Sequence, residues 1–286
     1  MPIVIEKLTY TYQKGSVNAY TAIKDVDLRI EDGEFVGLIG HTGSGKSTLI
    51  QQLNGLMQPT SGRVIVDGYD MNVKKQRAKG RALVGMVFQY PDHQLFDETV
   101  YKDISFGPKN MGLSEEEIDA RVKEAMKLVG LDEESFRDKS PFDLSGGEKR
   151  RTAIAGIIAM RPKYLVLDEP MAGLDPAGRR AVLEMIEGFR RSLGCAVVMV
   201  SHSMDDIARS SDKVVVLRDG EVYKCGTPAE IFSDADELNE MGLEPPFAAR
   251  AASALRRKGL PIPSGIYTNE ALADALSAIK AGEAHA

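Results

Sequence analysis

A glycine-rich stretch between an apolar segment and an amphipathic one constrains this chain more than any other feature. The stretch is Gly40-His41-Thr42-Gly43-Ser44-Gly45-Lys46-Ser47-Thr48, and it follows the apolar run Glu34–Ile39, which predicts a buried strand. After it, apolar residues recur at the spacing of one helix face: Leu49, Ile50, Leu53 and Leu56. Strand, glycine-rich turn and helix together are the context of a phosphate-binding loop, or P-loop.

The residues of this loop have the chemistry that a nucleoside triphosphate requires. Glycines allow backbone N–H groups to close around the β- and γ-phosphates, and a helix N-terminus adds partial positive charge. Lys46 is predicted to reach the terminal phosphates and Ser47 to ligate Mg²⁺. An ordinary glycine-rich turn is the alternative, but the flanking elements argue against it. The sequence therefore predicts that residues 40–48 bind a nucleoside triphosphate.

Composition limits the classes of protein that the chain can represent. Its 286 residues suggest one large or two modest domains, and the net charge of −6 argues against broad nucleic-acid binding. The two cysteines, Cys195 and Cys225, make a disulfide framework improbable and favour a reducing compartment. No signal peptide is visible, and no apolar stretch approaches the ~20 residues that span a bilayer. If the protein serves a membrane, we expect it to act through partners.

The order of the predicted elements indicates an α/β protein with inserts. Segments 3–12 and 23–30 resemble strands, and later predicted strands alternate with helices, which favours a largely parallel sheet. Two capping boxes, Ser114-x-x-Glu117 and Ser145-x-x-Glu148, open the main helices of an insert over about 91–160. We place an ATP-binding domain at 1–232 and a mostly helical C-terminal extension at 233–286, with helices over 247–258 and 269–281 and frayed final residues.

Two carboxylates end the apolar segment Tyr164-Leu165-Val166-Leu167-Asp168-Glu169-Pro170. A strand beside the P-loop strand would place Asp168 near Mg²⁺ and Glu169 near the attacking water. A surface turn is the alternative for such a pair. Because the same chain contains a P-loop, we reject that alternative.

A second anion site is indicated at the start of a helix, in Leu144-Ser145-Gly146-Gly147-Glu148. The combination of this segment with a P-loop resembles the ABC-type ATPases, whose signature is Leu-Ser-Gly-Gly-Gln. Glu148 departs from the last residue of that signature. The resemblance extends from about Leu8 to Phe232 and implies a P-loop NTPase core of the ABC type with an antiparallel β subdomain and a helical signature subdomain.

Four further residues match motifs of the resembled family in the family's order. Tyr12 matches the aromatic residue that stacks on adenine, although a core aromatic is an open alternative. Gln89 matches the glutamine that senses Mg²⁺ and the attacking water, and His202 matches the histidine that contacts the γ-phosphate. Asp175 matches the aspartate that communicates across the dimer, although Gly173 departs from the family's usual residue. The resemblance thus implies catalytic roles for Glu169, His202 and Gln89, with ATP and Mg²⁺ as cofactors.

The resemblance also implies a dimer. In the family, two ATPase domains enclose two ATP molecules, each between one P-loop and the opposite signature. One chain contains one of each motif. We therefore expect Leu144–Glu148 to face the nucleotide of a partner.

The segment after Gln89 is similar to that of the energy-coupling factor (ECF) transporter ATPases. It contains Tyr90, Pro91, Asp92, His93, Gln94, Leu95 and Phe96, which we expect to contact a membrane partner. The alternative is that Asp92 only caps a short helix and the aromatic residues belong to the core of the domain. The ECF resemblance implies a peripheral protein on the cytoplasmic face of the membrane that drives uptake of vitamins or of nickel and cobalt ions. Its partners would be a second ATPase, an integral-membrane coupling subunit and a substrate-binding membrane subunit. The C-terminal extension would contribute to contact between the ATPases.

The Pro91–Gln94 segment is more similar to the second ATPase of the heterodimeric systems, so a non-identical partner ATPase is expected. The alternatives are the homodimeric metal-ion type and an importer that depends on an extracytoplasmic binding protein. A soluble ABC ATPase acting on ribosomes or DNA is disfavoured, because the chain has no paired ATPase domain, long coiled-coil insertion or basic surface. The sequence does not identify the transported substrate.

Overall fold

The computed structural model describes residues 1–233 and 235–283, and two sheets organise this part of the chain. The strands are β1 (Ile3–Tyr12), β2 (Tyr20–Ile30), β3 (Phe35–Ile39), β4 (Ser61–Val66), β5 (Tyr69–Asp70), β6 (Val84–Val87), β7 (Tyr164–Asp168), β8 (Ala196–Val200), β9 (Lys213–Arg218) and β10 (Glu221–Gly226). The helices are α1 (Lys46–Leu53), α2 (Lys74–Ala82), α3 (Val100–Asn110), α4 (Glu115–Leu128), α5 (Glu133–Phe136), α6 (Gly146–Ile158), α7 (Pro176–Leu193), α8 (Met204–Ser210), α9 (Pro228–Phe232), α10 (Ala235–Glu240), α11 (Phe247–Arg257) and α12 (Asn269–Glu283).

The larger sheet has the order β10-β9-β3-β8-β7-β6, in which only the β9–β10 pair is antiparallel. Its central strands are buried along their whole length, as expected for a parallel sheet covered on both faces. The order corrects one prediction: β7 is not beside the P-loop strand, because β8 lies between β3 and β7. Strand order depends on the crossover connections, which local patterns do not report.

The smaller sheet is antiparallel, with the order β2-β1-β4-β5. Residues from it, including Ile3, Ile5 and Leu8, pack with α1 and one face of the larger sheet in a single buried cluster. On the opposite face of the larger sheet, a second cluster joins α3, α4, α6 and α7 to strands β3, β7 and β8. Burial of apolar surface on both faces therefore fixes the larger sheet between the antiparallel subdomain and the helices.

The capping residues of helices α4 and α6 show how the helical insert forms, while its bounds of about 91–160 stay a prediction. Ser145 and Glu148 make the complete capping box predicted for α6. At α4 only half of the predicted box is present: Ser114 accepts from the backbone of Glu117, while the Glu117 carboxylate pairs with Arg121 instead. An arginine one turn along the helix competes for that carboxylate.

Helix α1 is shorter than its apolar spacing predicts. It ends at Leu53, with Asn54 as the C-cap and Gly55 in the left-handed region at φ 68°. Leu56 is half exposed and does not belong to the helix face on which we placed it. A left-handed glycine after the C-cap is a common way to stop a helix, and here it overrides the periodicity.

The C-terminal extension forms a small core of its own. Ala248, Ala252, Ile262, Ile266 and Leu272 are buried together between α11 and α12. In contrast, Leu238 and Leu243 pack in the cluster of the main domain. The helices agree with the predicted segments, whereas the domain boundary at 232/233 stays a prediction. The frayed end predicted for the last residues falls largely on 284–286, which lie outside the described residues. No helix among those described is long and apolar enough to cross a bilayer.

Candidate active site

The candidate site lies where three parallel strands end. The P-loop follows β3. Asp168 is the last residue of β7, and Glu169 comes directly after it. Ser201 and His202 follow β8. Because these strands are parallel and adjacent in the order β3-β8-β7, their carboxyl ends meet at one edge of the sheet. Helix α1 contacts β7 across this edge, which brings Ser47 to Asp168 although the two strands are not neighbours.

The P-loop has backbone positions that only glycine can occupy. Gly40 and Gly45 have φ angles of 154° and 102°. A Cβ on Gly40 would lie 2.4 Å from the Leu217 carbonyl oxygen, and one on Gly45 would lie 2.5 Å from that of Ala22. The loop is thus held against β9 and β2 at distances that exclude a side chain.

The Lys46 side chain lies against the loop and is buried. Its Nζ donates to the carbonyl oxygens of Gly40 at 2.7 Å and His41 at 3.0 Å. Burial lowers the pKa of Lys46, while the charges of Glu169 and Asp168 act in the opposite direction. The ammonium group is therefore held inside the glycine-rich turn, facing two carboxylates.

Asp168 is a buried carboxylate, only 8% exposed. Burial raises its pKa, a hydrogen bond from the Ser47 hydroxyl lowers it, and the adjacent charge of Glu169 raises it further. A serine hydroxyl and a carboxylate in contact are hard oxygen donors of the kind that Mg²⁺ prefers. The residues present therefore fit the magnesium ion that the sequence predicts.

Glu169 and His202 form a direct pair. His202 Nε2 lies 2.8 Å from Glu169 Oε1, and the Glu169 side chain is 19% exposed against 52% for the histidine. Glu169 has a left-handed φ of 49°, and its N–H donates to the Val200 carbonyl oxygen at 3.0 Å. The strained backbone turns the chain at the end of β7 and directs the Glu169 carboxylate towards His202.

Two tyrosines lie beside the P-loop, of which sequence reasoning identified one. The Tyr12 hydroxyl is 3.0 Å from Thr48 Oγ1, and its ring meets that of Tyr10 edge-on. Tyr20, which we did not single out, is exposed and donates to the Gly43 carbonyl oxygen at 3.4 Å. In the sequence, the only sign of this contact is that Tyr20 begins the strand that precedes the P-loop strand.

Two predicted residues lie outside this cluster of contacts. Gln89 is exposed two residues after the end of β6. Asp175 caps α7, its Oδ1 accepting from the Gly178 N–H at 2.7 Å. Neither side chain makes a described hydrogen bond to the P-loop, to Asp168 or to Glu169.

The signature is divided between core and surface. Leu144 is buried in the main cluster, whereas Ser145, Gly146 and Gly147 are exposed at the start of α6. The Glu148 carboxylate accepts from both the N–H and the hydroxyl of Ser145, at 2.8 and 2.7 Å, and these bonds lower the pKa of Glu148. Among the described residues, no hydrogen bond or ion pair joins the signature to the P-loop.

The segment after Gln89 forms a short 3₁₀ turn over Pro91–Gln94, in which the ring of Tyr90 stacks on that of His93 at 5.7 Å. Asp103, a residue that sequence reasoning missed, accepts from the N–H groups of Phe96 and Asp97, both at 3.2 Å. Burial raises the pKa of Asp103, and these two bonds oppose the shift. The segment is therefore fixed to the first turn of α3.

A groove of about 400 Å³ opens beside this turn, lined by residues of the segment, of α3 and of α6. Phe96 and Phe106 stand exposed in it with their rings edge-to-face at 4.8 Å. Leu95, in contrast, is nearly buried. Exposed aromatic pairs in a groove are typical of a protein-binding surface.

Several known proteins are similar to this chain. The sequence profile of the family described as "ABC transporter" matches residues 23–172. The energy-coupling factor transporter ATP-binding protein EcfA2 of Caldanaerobacter subterraneus subsp. tengcongensis is 52% identical over 271 residues, 94% of each chain. The EcfA2 of Symbiobacterium thermophilum is 51% identical over 283 residues, 99% of this chain and 98% of that one.

Two solved structures are also similar. CbiO1 of Clostridium perfringens, described as part of the ABC transporter complex cbiONQ, superposes with a TM-score of 0.75 at 37% identity, covering 89% of this chain and 98% of that one. The ATP-binding cassette MJ0796, solved as a dimer bound to ADP and Pi, has a TM-score of 0.71 at 29% identity, covering 79% and 98%.

A P-loop at the edge of a parallel sheet, a separate signature helix and these similarities define an ABC ATPase, which binds ATP and hydrolyses it. Within that class, the chain belongs to the energy-coupling factor transporter ATP-binding proteins of the EcfA2 type. The predicted ABC fold, the ECF subtype and the likeness to the second ATPase are confirmed.

Proposed function

We propose that this ATPase closes with a second ATPase around ATP and, on hydrolysis, opens again, so that a membrane coupling subunit moves. The partner ATPase is non-identical in this proposal, and the assembly lies at the cytoplasmic face of the membrane. The cargo is a vitamin or related micronutrient bound by a further membrane subunit. The names of the relatives, which are ATP-binding proteins of energy-coupling factor transporters, support this assignment.

One observation carries the two-subunit part of the proposal. Ser47 of the P-loop hydrogen-bonds to Asp168, and the charges of Glu169 and Asp168 act on Lys46, whereas the exposed signature has no described bond to any of these residues. An anion-binding helix start that is exposed and separate from the chain's own site has to find its phosphate on another molecule. The cassette MJ0796 was solved as a dimer bound to ADP and Pi, which supports an assembly of two ATPases.

Within the chain, we assign the roles as follows. Gly40–Thr48 hold the triphosphate, with Tyr12 beside the adenine. Ser47, Asp168 and Gln89 hold Mg²⁺, which supplies charge neutralisation at the phosphates when bound. Glu169 orients and deprotonates the attacking water, and His202 contacts the γ-phosphate. Asp175 and Leu144–Glu148 face the partner's nucleotide.

The groove is the proposed docking site for the coupling subunit. Its occupant is a helix that carries an arginine, because Asp92, two residues before the groove-lining Gln94, offers a partly exposed carboxylate and Phe96 and Phe106 offer exposed apolar surface. Gln89 lies directly before this segment, so a change in its position on nucleotide binding reaches the groove through the short Pro91–Gln94 turn. Pro91 stiffens that turn, which favours transmission over local rearrangement.

The test is to isolate the chain with its subunits from membranes, identify those subunits and reconstitute the complex in vesicles. Uptake of labelled vitamins and of Ni²⁺ or Co²⁺ is then measured with ATP on the side of the ATPase. We expect ATP-dependent uptake of one micronutrient, lost in Glu169→Gln although that complex assembles. A complex with two identical ATPases that transports a metal ion would support the homodimeric alternative instead. Recovery without any membrane subunit would contradict the proposal.

A further inference from the structure

The C-terminal extension reaches the Glu169–His202 pair. A polar cavity of about 330 Å³ beside this pair is lined on one side by Glu169, on a second by the segment Ser201–Asp205, and on a third by Glu244, Pro245 and Arg250 of the extension. The extension is therefore part of the wall around the residues to which we assign hydrolysis.

One hydrogen bond links the extension to the histidine segment. The Phe247 N–H, at the start of α11, donates to Asp205 Oδ1 at 3.1 Å. Asp205 is three residues after His202, in the first turn of α8. Its neighbour Asp206 is paired with Arg179 of α7, within the main domain. Asp205 and Asp206 thus bond the start of α8 to the extension and to α7, respectively.

The histidine segment needs such external contacts. Helix α8 has only seven residues, a length that is not stable as a helix by itself. The His202 side chain is half exposed, so packing alone does not fix it. Around it, Ser203 donates through its N–H to Ser201 Oγ and caps α8. The direction in which the chain leaves β8 is therefore set by the bonds at the first turn of α8 together with the burial of Met204 and Ile207 in the main cluster.

We infer that the C-terminal extension positions His202 within the same chain, through the hydrogen bond from Phe247 N–H to Asp205. Asp205 and Phe247 are then positioning residues for ATP hydrolysis, in addition to any contact that the extension makes with a partner ATPase. The inference rests on the proposed roles of Glu169 and His202. It goes beyond them because it gives a segment outside the ATP-binding motifs an influence on the catalytic rate.

The fold offers a way to delete this one donor. Phe247 is the first residue of α11, and Pro246 before it has φ −50° and ψ 144°. Proline is accommodated at the first helical position, and the preceding residue already has the extended conformation that proline demands. Phe247→Pro therefore removes the N–H with little change to the backbone. Phe247→Ala, which removes the same exposed ring but keeps the N–H, is the matched comparison.

Both variants are made in the full chain and purified with its copurifying subunits, and kcat, KM and ATP affinity are measured at saturating protein. We expect kcat of Phe247→Pro to be about tenfold below that of Phe247→Ala, the effect of losing one hydrogen bond to a charged group. ATP affinity should differ less than twofold between them. If the activity of Phe247→Pro instead returns to that of Phe247→Ala at higher protein concentration, the bond acts on dimer contact and the inference is overturned.

A second pair tests the same bond from the acceptor side, in case Phe247→Pro does not fold. Asp205→Asn keeps an acceptor oxygen and Asp205→Ala does not, so kcat of the alanine variant should be the lower by a similar factor. Equal kcat within either folded pair overturns the inference. Glu169→Gln and His202→Ala are measured alongside: if these keep wild-type turnover, the proposed catalytic roles fail, whereas if they lose it and the Phe247 pair is equal, only the present inference fails.

Discussion

His202 Nε2 and Glu169 Oε1 are 2.8 Å apart, and they come from the ends of adjacent parallel strands, β8 and β7. The contact joins the residue assigned to the attacking water with the residue assigned to the γ-phosphate. A ligand that attracts the imidazole therefore changes the surroundings of the carboxylate. The parallel register of β7 and β8, in which Asp168 lies opposite Val200, brings the histidine and the carboxylate together.

The first prediction concerns Glu169. Glu169→Gln keeps the shape of the side chain but removes its basicity, so we expect turnover to fall by about 10²- to 10⁴-fold, the usual contribution of a positioned general base. ATP binding should persist, because Lys46 and the glycine backbone are unchanged. Steady-state hydrolysis and equilibrium ATP binding measure the two effects. Glu116→Gln, an exposed change on α4, is the control. Turnover within a few-fold of wild type would remove Glu169 from this role.

The second prediction follows from the pair. His202→Ala should lower turnover, and the double variant Glu169→Gln/His202→Ala should lose much less than the product of the two single effects, because groups in contact act as a unit. A double-mutant cycle on turnover measures the coupling. Fully multiplicative losses would show that the 2.8 Å contact has no part in the reaction.

How much of this site the sequence predicts depends on how local each feature is. The glycines of the P-loop, the β7 carboxylates and the complete capping box at Ser145–Glu148 are each specified within a few residues, and the structure contains all of them. The position of β8 between β3 and β7 is not local, and we placed β7 wrongly. Strand order follows from the crossover connections, which leave no mark in the sequence of a single strand.

Asp103 and Tyr20 show a second limit. Asp103 matters because its carboxylate accepts from Phe96 and Asp97, residues that precede its own helix. Tyr20 matters because β2 passes beside Gly43. A polar residue in the first turn of a helix and an aromatic residue in a strand are common in any sequence, and only the fold distinguishes these two. Strand β10 is equally hard to recognise in the sequence, because its residues alternate between exposed and half-buried and few of them are apolar.

The third prediction tests the separation of the signature from its own P-loop. Ser145→Arg adds bulk and charge at the exposed start of α6, so we expect ATP hydrolysis by the assembled ATPases to be largely lost. ATP affinity of the isolated chain should stay within about twofold, since the signature has no described bond to residues 40–48. Nucleotide titration of the monomer measures this. A large loss of monomer affinity would place the signature on its own chain's ATP and contradict the two-subunit arrangement.

The fourth prediction concerns Glu148, where the resembled family has glutamine. Its carboxylate occupies the N–H and hydroxyl of Ser145 and adds negative charge at a site proposed to meet a phosphate. Glu148→Gln removes that repulsion, so the ATP-bound dimer should form at lower ATP concentration, by a few-fold. Dimer formation by the hydrolysis-deficient Glu169→Gln protein, with and without Glu148→Gln, measures the shift. A higher ATP requirement would mean that the capping bonds, rather than the charge, decide the affinity.

The last prediction concerns the coupling segment. Asp92→Arg replaces the carboxylate offered to an arginine of the membrane subunit with a like charge, so complex recovery and uptake should both fall. The loss should be partial: moving a partner from 1:99 to 99:1 requires about 5.5 kcal/mol, more than one partly exposed ion pair supplies, so several contacts must share it.

Asp103→Ala, which frees Phe96 and Asp97 from α3, should lower uptake while the detached ATPase stays active. Glu116→Arg is the charge-reversal control in the same subdomain. Normal recovery together with normal uptake in Asp92→Arg would show that the segment Tyr90–Phe96 does not couple the ATPase to the membrane.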